Sequence, residues 1–157
     1  REQTEAAVRV LREPRTPFVL NQVCYNLLDR HIEEDGLKNF AKENGFGLIA
    51  YSPLAQGLLT ERYVQGIPED SRIKKSFTLK KETLTPSFFA KLAKLRDVAT
   101  ARGQSLPALA LSWVLKDDIV PSVIIGASSS EQILENLQIN PGFSPQELAA
   151  IGEICRS

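Results

Sequence analysis

The stretch "VIIGASSSEQILENLQ", residues 123–138, joins a short apolar run to a helical pattern. The apolar run stops at Gly126, and three serines separate it from the next apolar residues. A run of this length predicts a buried strand, and the spacing of Ile133, Leu134 and Leu137 predicts a helix that turns these side chains toward a core. A strand, a tight joint and a helix in succession are typical of a parallel α/β sheet.

The joint between the strand and the helix has two interpretations. Ser128 and Glu131 have the spacing of a capping box, which would explain one serine and one glutamate by helix capping alone. Gly126 would also let a ligand approach the backbone, and a helix N-terminus offers free N–H groups to an anion. Barrels of alternating strands and helices often bind phosphate after strands 7 and 8. On this stretch alone the capped helix is the simpler interpretation.

Two further strands lie upstream, each followed by a helical pattern. We predict short buried strands in "FVLNQVCYN", residues 18–26, where Phe18, Val19, Leu20 and Val23 are apolar, and in "FGLIAYSPL", residues 46–54, with the third in "PSVIIG", residues 121–126. Helices are predicted over residues 1–13, 29–45, 86–103 and 105–118. Two more are predicted, one after the serines at 128–130 and one that begins at residue 144. Residues 62–85 are polar and basic and predict a long loop. The alternation indicates an α/β fold with a parallel sheet.

Composition limits the classes of protein that remain. The 157 residues are 43% hydrophobic, with 19 basic and 19 acidic side chains, which suits about one globular domain and argues against nucleic-acid binding. No apolar run approaches the roughly 18 residues of a membrane span, so no membrane insertion is expected. Cys24 and Cys155 lack metal-ligand spacing and favour a reducing, cytoplasmic setting without a bound metal. The chain holds no methionine and begins inside a predicted helix, so we expect a piece of a longer protein.

Three strand ends carry the functional information, because ligands of parallel α/β folds bind at the carboxyl ends of the strands. Gln22 is a carboxamide inside an apolar run, and it would either satisfy backbone groups or bind a ligand amide. Tyr51 ends the second strand, where it would either stack on a flat cofactor ring or serve as a core tyrosine. The joint at Gly126 is the third end.

Five motifs resemble the C-terminal half of an aldo-keto reductase. They are "NQVCYNLL" (residues 21–28), "AYSPLAQGLLTERY" (50–63), "GIPEDSR" (66–72), "ALSWVLKDD" (110–118) and "SVIIGASSSEQILENL" (122–137). The resemblance covers nearly the whole chain. It is strongest to the branch that contains voltage-gated potassium channel β subunits and bacterial L-glyceraldehyde 3-phosphate reductases.

The resemblance implies that residues 1–157 are the C-terminal portion of one (β/α)8 TIM-barrel domain, with parallel strands and outer helices, whose N-terminal half is absent. It implies NADPH as cofactor and reduction of aldehydes or ketones, with glyceraldehyde 3-phosphate-type substrates favoured. The implied cofactor contacts are Gln22 on the nicotinamide carboxamide, Tyr51 on its ring, Ser52, Pro53, Leu54 and Gly57 along the pyrophosphate, Arg62 and Arg72 on phosphates, Gly126, Ser128 and Gln132 at the 2′-phosphate, and Glu135 and Asn136 at the adenosine. The capping serines would then also form a phosphate seat.

The same resemblance places the catalytic aspartate, tyrosine, lysine and histidine in the absent half, so we assign no catalytic residue here. His31 is interpreted as a solvated residue at a helix start. Glu61 stands where relatives often have glycine and is expected to add negative charge near the loop. A full barrel needs about 250 residues, so we expect completion by the N-terminal half, by another chain or by self-association into a homo-oligomer. A nucleotide-binding regulatory subunit and an inert fragment remain as alternatives to a reductase.

Overall fold

The computed structural model describes residues 1–61 and 84–156. Three strands are present there: β1 (Leu20–Cys24), β2 (Gly47–Tyr51) and β3 (Ser122–Ile124). The helices are α1 (Glu2–Arg12), α2 (His31–Glu34), α3 (Leu37–Asn44), α4 (Pro86–Ala101), α5 (Leu106–Val114), α6 (Ser130–Asn136) and α7 (Pro145–Arg156). A single 3-10 turn, Ala55–Gly57, follows β2. The loop predicted over residues 62–85 lies outside the described residues, apart from its last two positions.

The strands form one parallel sheet in the order β1-β2-β3, which confirms the predicted α/β class. Cys24 is the register partner of Tyr51, and Tyr51 in turn is the partner of Ile124. The carboxyl ends of the three strands therefore lie side by side, and the residues after each strand emerge at one edge of the sheet.

The two faces of the sheet differ sharply in burial. Val23, Leu48 and Ala50 lie on the face that the helices cover, at 7%, 0% and 0% exposure. On the opposite face Leu20, Tyr51 and Ile124 are 46%, 41% and 47% exposed. Side chains alternate along a strand, so every second residue of each strand faces the open side. The prediction of a buried first strand was wrong for Leu20, which faces this open side, and for Val19, which precedes β1 and is exposed, although it holds for Val23.

The helix predicted over residues 29–45 is broken into α2 and α3. Gly36 adopts a left-handed backbone conformation with φ 76°, which ends one helix and begins the next. Ile32, Leu37 and Ala41 are buried in the core. Gly45, also left-handed, ends α3, and its backbone N–H bonds to carbonyls of the last helical turn.

Helices α4 and α5 begin with matching caps. Thr85 and Ser105 each accept a hydrogen bond from the backbone N–H three residues later, and a proline stands in the first turn of each helix. All residues of α5 are buried, including Trp113 at 2% exposure, so α5 is the central helix of the core. Within the described part of the chain, no helix is both long and apolar enough to cross a membrane.

A buried polar cluster ties the exit of β1 to the end of α5. The hydroxyl of Tyr25, a fully buried residue, donates a hydrogen bond to Glu33 and accepts one from Lys116 Nζ at 3.0 Å. Lys116 Nζ also lies 3.7 Å from the centroid of the Trp113 ring, and Arg30 Nη2 lies 2.6 Å from Glu33 Oε2. Burial and the Glu33 carboxylate raise the pKa of Tyr25, while burial lowers the pKa of Lys116. The cluster fixes where the chain turns after β1.

Glu33 is the carboxylate of this cluster. Protonation of this carboxylate at low pH is expected to lower the stability of the fold. Burial alone would raise the pKa of Glu33, but hydrogen bonds from Tyr25 and Arg30 lower it below its ordinary value of 4.5. A carboxylate with a lowered pKa stabilises the fold above its unfolded pKa, and this stabilisation is lost as the pH falls through the folded pKa.

We therefore expect Glu33→Gln to lower the free energy of unfolding by about 2 kcal/mol near neutral pH. The deficit should shrink as the pH falls from about 4.5 through the lowered pKa of the folded state, because the carboxyl is protonated first in the unfolded chain and then in the folded one. Urea denaturation at about pH 7 and about pH 3.5 measures both values. The exposed neighbour Glu34, changed to Gln, is the control and should have little effect. A deficit that is equal at both pH values would contradict this role of Glu33.

Candidate functional site

A cleft of about 620 Å³ opens at the carboxyl ends of β2 and β3. The residues predicted from the sequence that line it are Tyr51, Ser52, Pro53, Leu54, Gly57, Gly126, Ser128, Gln132, Glu135 and Asn136. One wall is the turn after β2, and the other is the joint before α6 together with one side of that helix. Two segments far apart in sequence thus form one site.

The turn after β2 is held in a conformation that non-glycine residues rarely adopt. Ser52, Ala55 and Gln56 have φ values of 52°, 48° and 56°, and Gly57 follows at 97°. Each such non-glycine residue costs roughly 1–3 kcal/mol, so surrounding contacts must stabilise the turn. The Ser52 carbonyl accepts hydrogen bonds from Ala55 N at 2.9 Å and from Asn26 Nδ2 at 3.0 Å. The turn is therefore a fixed backbone shape.

Tyr51 stands between this cleft and the open face of the sheet. As the last residue of β2 it is 41% exposed, so one side of its ring is free to contact a flat group. Gln22 lies on the same open face but does not line the large cleft. It lines a smaller cavity of about 370 Å³ along β1, and Tyr51 lines this cavity as well. The expectation that Gln22 is a buried amide was wrong, because its side of β1 is uncovered in the described chain.

The cap of α6 lies one residue later than predicted. Ser129 is the N-cap, and its Oγ accepts from Gln132 N at 3.4 Å. The Gln132 side chain returns to accept from Ser128 N at 2.9 Å. The predicted pair of Ser128 and Glu131 was wrong because the helix begins at Ser130, which makes Gln132 the third helical residue. Glu131 instead accepts a hydrogen bond from Ser130 Oγ at 3.1 Å.

Helix α6 presents its polar side to the cleft, but its apolar side is not covered. Gln132, Glu135 and Asn136 share the cleft side, in agreement with their spacing, and Asn136 is only 7% exposed. The apolar side carries Ile133, Leu134 and Leu137, which are 47%, 64% and 64% exposed. The prediction that these three side chains face a core is therefore wrong for the described residues. There, the main packing partner of α6 is α5.

Gly126 leaves room at the base of the cleft. A Cβ atom built at this position would meet no other atom within 4 Å, so packing within the described chain does not require glycine there. A glycine that faces open space allows a bound group to approach the backbone closely. This observation fits a flat or phosphate-bearing ligand against the joint better than it fits helix capping alone.

Glu61, the departure from the family pattern, lines the cleft, and its carboxylate is held at the start of α5. Its Oε1 accepts a hydrogen bond from Leu106 N at 3.1 Å, in the first turn of α5. A carboxylate is stabilised at a helix N-terminus by the free N–H groups and the helix dipole. Arg62 and Arg72 lie outside the described residues, so their predicted phosphate contacts remain predictions.

The sequence did not single out several residues that complete the cleft. They are Gln56, Thr60, Pro107, Ile124, Ile125 and Ala127. Asn26, which bonds the Ser52 carbonyl, stands at the exit of the first strand in the sequence but was assigned no role. The sequence feature that could have indicated this role is the position of an asparagine just after a strand. Asparagine side chains often hydrogen-bond the backbone of the turn in which they lie.

His31 and Cys24 do not line the large cleft but line the smaller cavity along β1. His31 begins α2 and is exposed, with Nδ1 2.6 Å from Asp29 Oδ1. Burial raises the pKa of Cys24 to about 11, so its thiol stays protonated at neutral pH. No group of three or more His, Cys, Asp or Glu side chains in residues 1–61 and 84–156 could hold a metal ion.

The chain is similar to several known proteins. The L-glyceraldehyde 3-phosphate reductase of Escherichia coli K12 is 46% identical over 158 residues, which cover 97% of this chain and 46% of that protein. A putative voltage-gated potassium channel subunit beta of Schizosaccharomyces pombe is 38% identical over 87% of this chain and 42% of that protein. The solved structure of a glycerol dehydrogenase from Gluconobacter oxydans superposes with a TM-score of 0.74, at 25% identity, over 93% of this chain and 44% of that one.

The chain thus spans less than half the length of these relatives. Its parallel sheet with outer helices is part of a (β/α)8 barrel of the kind that the structural relatives share. The profile of the Aldo/keto reductase family matches residues 2–156. This chain belongs to the aldo/keto reductase family.

Proposed function

We propose that the complete protein is an NADPH-dependent oxidoreductase that reduces aldehydes or ketones to alcohols, and that this chain supplies most of its cofactor-binding part. The proposal rests on the cleft between the turn after β2 and α6. This cleft is lined by ten residues that the family resemblance implied as contacts of the cofactor. These residues come from two strand ends that are about 75 positions apart in the chain, as βα units of a barrel place them.

Each part of the cleft suits one part of an extended dinucleotide. The exposed ring of Tyr51 offers a stacking surface for the nicotinamide, and Gln22 on the same sheet face offers a carboxamide for its amide group. The fixed turn from Ser52 to Gly57 would bind along the pyrophosphate. Glu135 and Asn136 would bind the adenosine end. When bound, the cofactor supplies a hydride, while the residues of this chain bind and orient it.

NADPH is favoured over NADH by the polar groups at the start of α6. Ser128 offers a backbone N–H and a hydroxyl, and both already hydrogen-bond to the Gln132 side chain. A 2′-phosphate would take over these donors at the positive end of the helix. The sequence adds Arg62 and Arg72, whose charges suit the same phosphate-rich ligand.

The substrate class rests on relatedness. The Escherichia coli relative is named for reduction of L-glyceraldehyde 3-phosphate, and we propose an aldehyde or ketone of that type for this protein. We assign no catalytic residue within residues 1–157. The proton donor would come from the part of the barrel that this chain does not include.

We further propose that residues 1–157 are the C-terminal portion of a single barrel domain. A parallel sheet is normally covered on both faces, and here one face is open and both outer strands lack a further partner among the described residues. On α6, Ile133, Leu134 and Leu137 are further apolar side chains that the described residues leave exposed. An N-terminal half, or a second chain that replaces it, would cover the open face.

A regulatory subunit is the second candidate function, since two relatives are named as potassium channel β subunits. A cofactor cleft of this kind would serve as a nucleotide sensor in such a subunit. The reductase relative is closer, at 46% against 38% identity, and it covers more of this chain. We therefore place the reductase first. We also propose a cytoplasmic setting, in keeping with two free cysteines.

Replacing Tyr51 tests the nicotinamide end of the cleft. In the protein at its native length, we expect Tyr51→Ala to raise the Kd for NADPH about tenfold, because the stacking surface is lost. Tyr51→Phe keeps the ring and should bind as wild type does. Titration of NADPH fluorescence measures each Kd. Equal affinity of the alanine variant and the wild type would rule out the stacking role.

Replacing Gln132 tests the 2′-phosphate end. Gln132→Glu keeps the shape and the acceptor that caps Ser128, but it adds a negative charge beside the proposed phosphate. We expect the Kd for NADPH to rise about tenfold while the Kd for NADH changes little. Thermal unfolding should be unchanged, since the cap survives. If both nucleotides were weakened equally, the 2′-phosphate would lie elsewhere.

The mass of the protein tests the domain proposal. Because the chain covers 46% of its reductase relative, we expect the protein isolated from its source to have an intact mass near twice 17.4 kDa. Mass spectrometry under denaturing conditions gives this value directly. A mass of 17.4 kDa would mean that the open sheet face must be covered by a separate chain.

A further inference from the structure

We infer that Asn26 is a positioning residue for the cofactor cleft: its side chain crosses from the exit of β1 and fixes the Ser52 carbonyl, and through it the turn that lines the cleft. The inference rests on the proposed function, in that the consequence is expressed in nucleotide binding. Asn26 does not line the cleft and is only 3% exposed. It would act through the backbone of Ser52 and touch no ligand.

Every polar atom of the Asn26 side chain is used. Its Oδ1 accepts hydrogen bonds from Leu28 N and Asp29 N, both at 2.9 Å. Its Nδ2 donates to the Ser52 carbonyl at 3.0 Å. The Asn26 backbone also exchanges hydrogen bonds with Asp29, at 3.0 and 3.2 Å. The carboxamide is therefore mounted on a closed turn and has one orientation, with its donor directed at the neighbouring strand end.

The Ser52 carbonyl is the point where this support matters. Ser52 is left-handed, with φ 52°, and its carbonyl also accepts the N–H of Ala55, the first of three consecutive residues with positive φ in the turn. A carbonyl held by two donors fixes the peptide plane between Ser52 and Pro53. Without the Asn26 donor, the carbonyl would be under-satisfied, and the strained turn could relax toward an ordinary conformation.

The direction of the effect follows from this geometry. A relaxed turn would move the backbone of Ser52 and Leu54 away from the position that the cleft requires, while the strands and helices stay in place. A change at Asn26 should thus alter the affinity for the cofactor more than it alters kcat. A residue that serves only the general stability of the fold would show no such selectivity.

The experiment compares Asn26→Asp with Asn21→Asp in the protein at its native length. Asn21 is a matched control on β1, the strand that leads to Asn26: its Nδ2 donates to Thr4 Oγ1 at 3.0 Å, on the helix-covered side of the sheet. Each change removes one side-chain amide donor. A second variant, Asn26→Ser, avoids the added charge; its hydroxyl can serve the turn at residues 28 and 29 but is too short to reach Ser52.

We expect both Asn26 variants to raise the Kd and the KM for NADPH about tenfold with a smaller change in kcat, and Asn21→Asp to leave the Kd within about twofold of wild type. Without cofactor, hydrogen exchange at the amides of Ala55 and Gly57 should be faster in the Asn26 variants alone. Unchanged exchange, with all variants equally destabilised, would overturn the inference. If wild type bound no nucleotide, the proposed function would fail, and the exchange result would still decide the role of Asn26.

Discussion

The structure depends on how a parallel sheet is covered. Main-chain hydrogen bonds join β1, β2 and β3, but a parallel sheet is stable only when apolar side chains on both faces are packed. The helices satisfy one face completely, with α5 buried along its whole length. The other face carries exposed Leu20, Tyr51 and Ile124. This difference between the covered face and the open face accounts for the position of the candidate site and for the exposed apolar side chains.

The packed face makes the site possible. Because Val23, Leu48 and Ala50 are held against the helices, the strand ends are fixed relative to one another, and the turns that follow them can adopt conformations that cost energy. The Tyr25 cluster holds the exit of β1, and from that exit Asn26 reaches the turn after β2. The open face then supplies the groups that a bound cofactor would contact. Gln22 and Tyr51 are exposed because no element of the described chain covers this face of the sheet.

Much of the fold was predictable because strand and helix patterns are local. The apolar runs at residues 46–54 and 121–126 and the helical patterns over residues 86–103 and 105–118 each predicted the element that the structure shows. The break at Gly36 was missed because a single glycine inside a helical pattern is often tolerated.

What could not be predicted depends on contacts between distant residues. The left-handed conformations of Ser52 and Gln56 have no signature in their residue types, since glycine and asparagine are the usual choices. The link from Asn26 to Ser52 joins positions 26 residues apart. The outward direction of Leu134 could not follow from helical spacing, which gives a face but not its partner. The membership of ten residues in one cleft came from family resemblance and not from periodicity.

Amide hydrogen exchange across the sheet tests the central claim, that the open face and outer strands belong inside a larger barrel. In the protein at its native length and without cofactor, β1 and β3 should exchange as slowly as β2, because each outer strand is then paired on both sides. Rapid exchange along β1 and β3 beside a protected β2 would show that the sheet ends with these three strands. The barrel, and with it the covered site, would then be the wrong description of this protein.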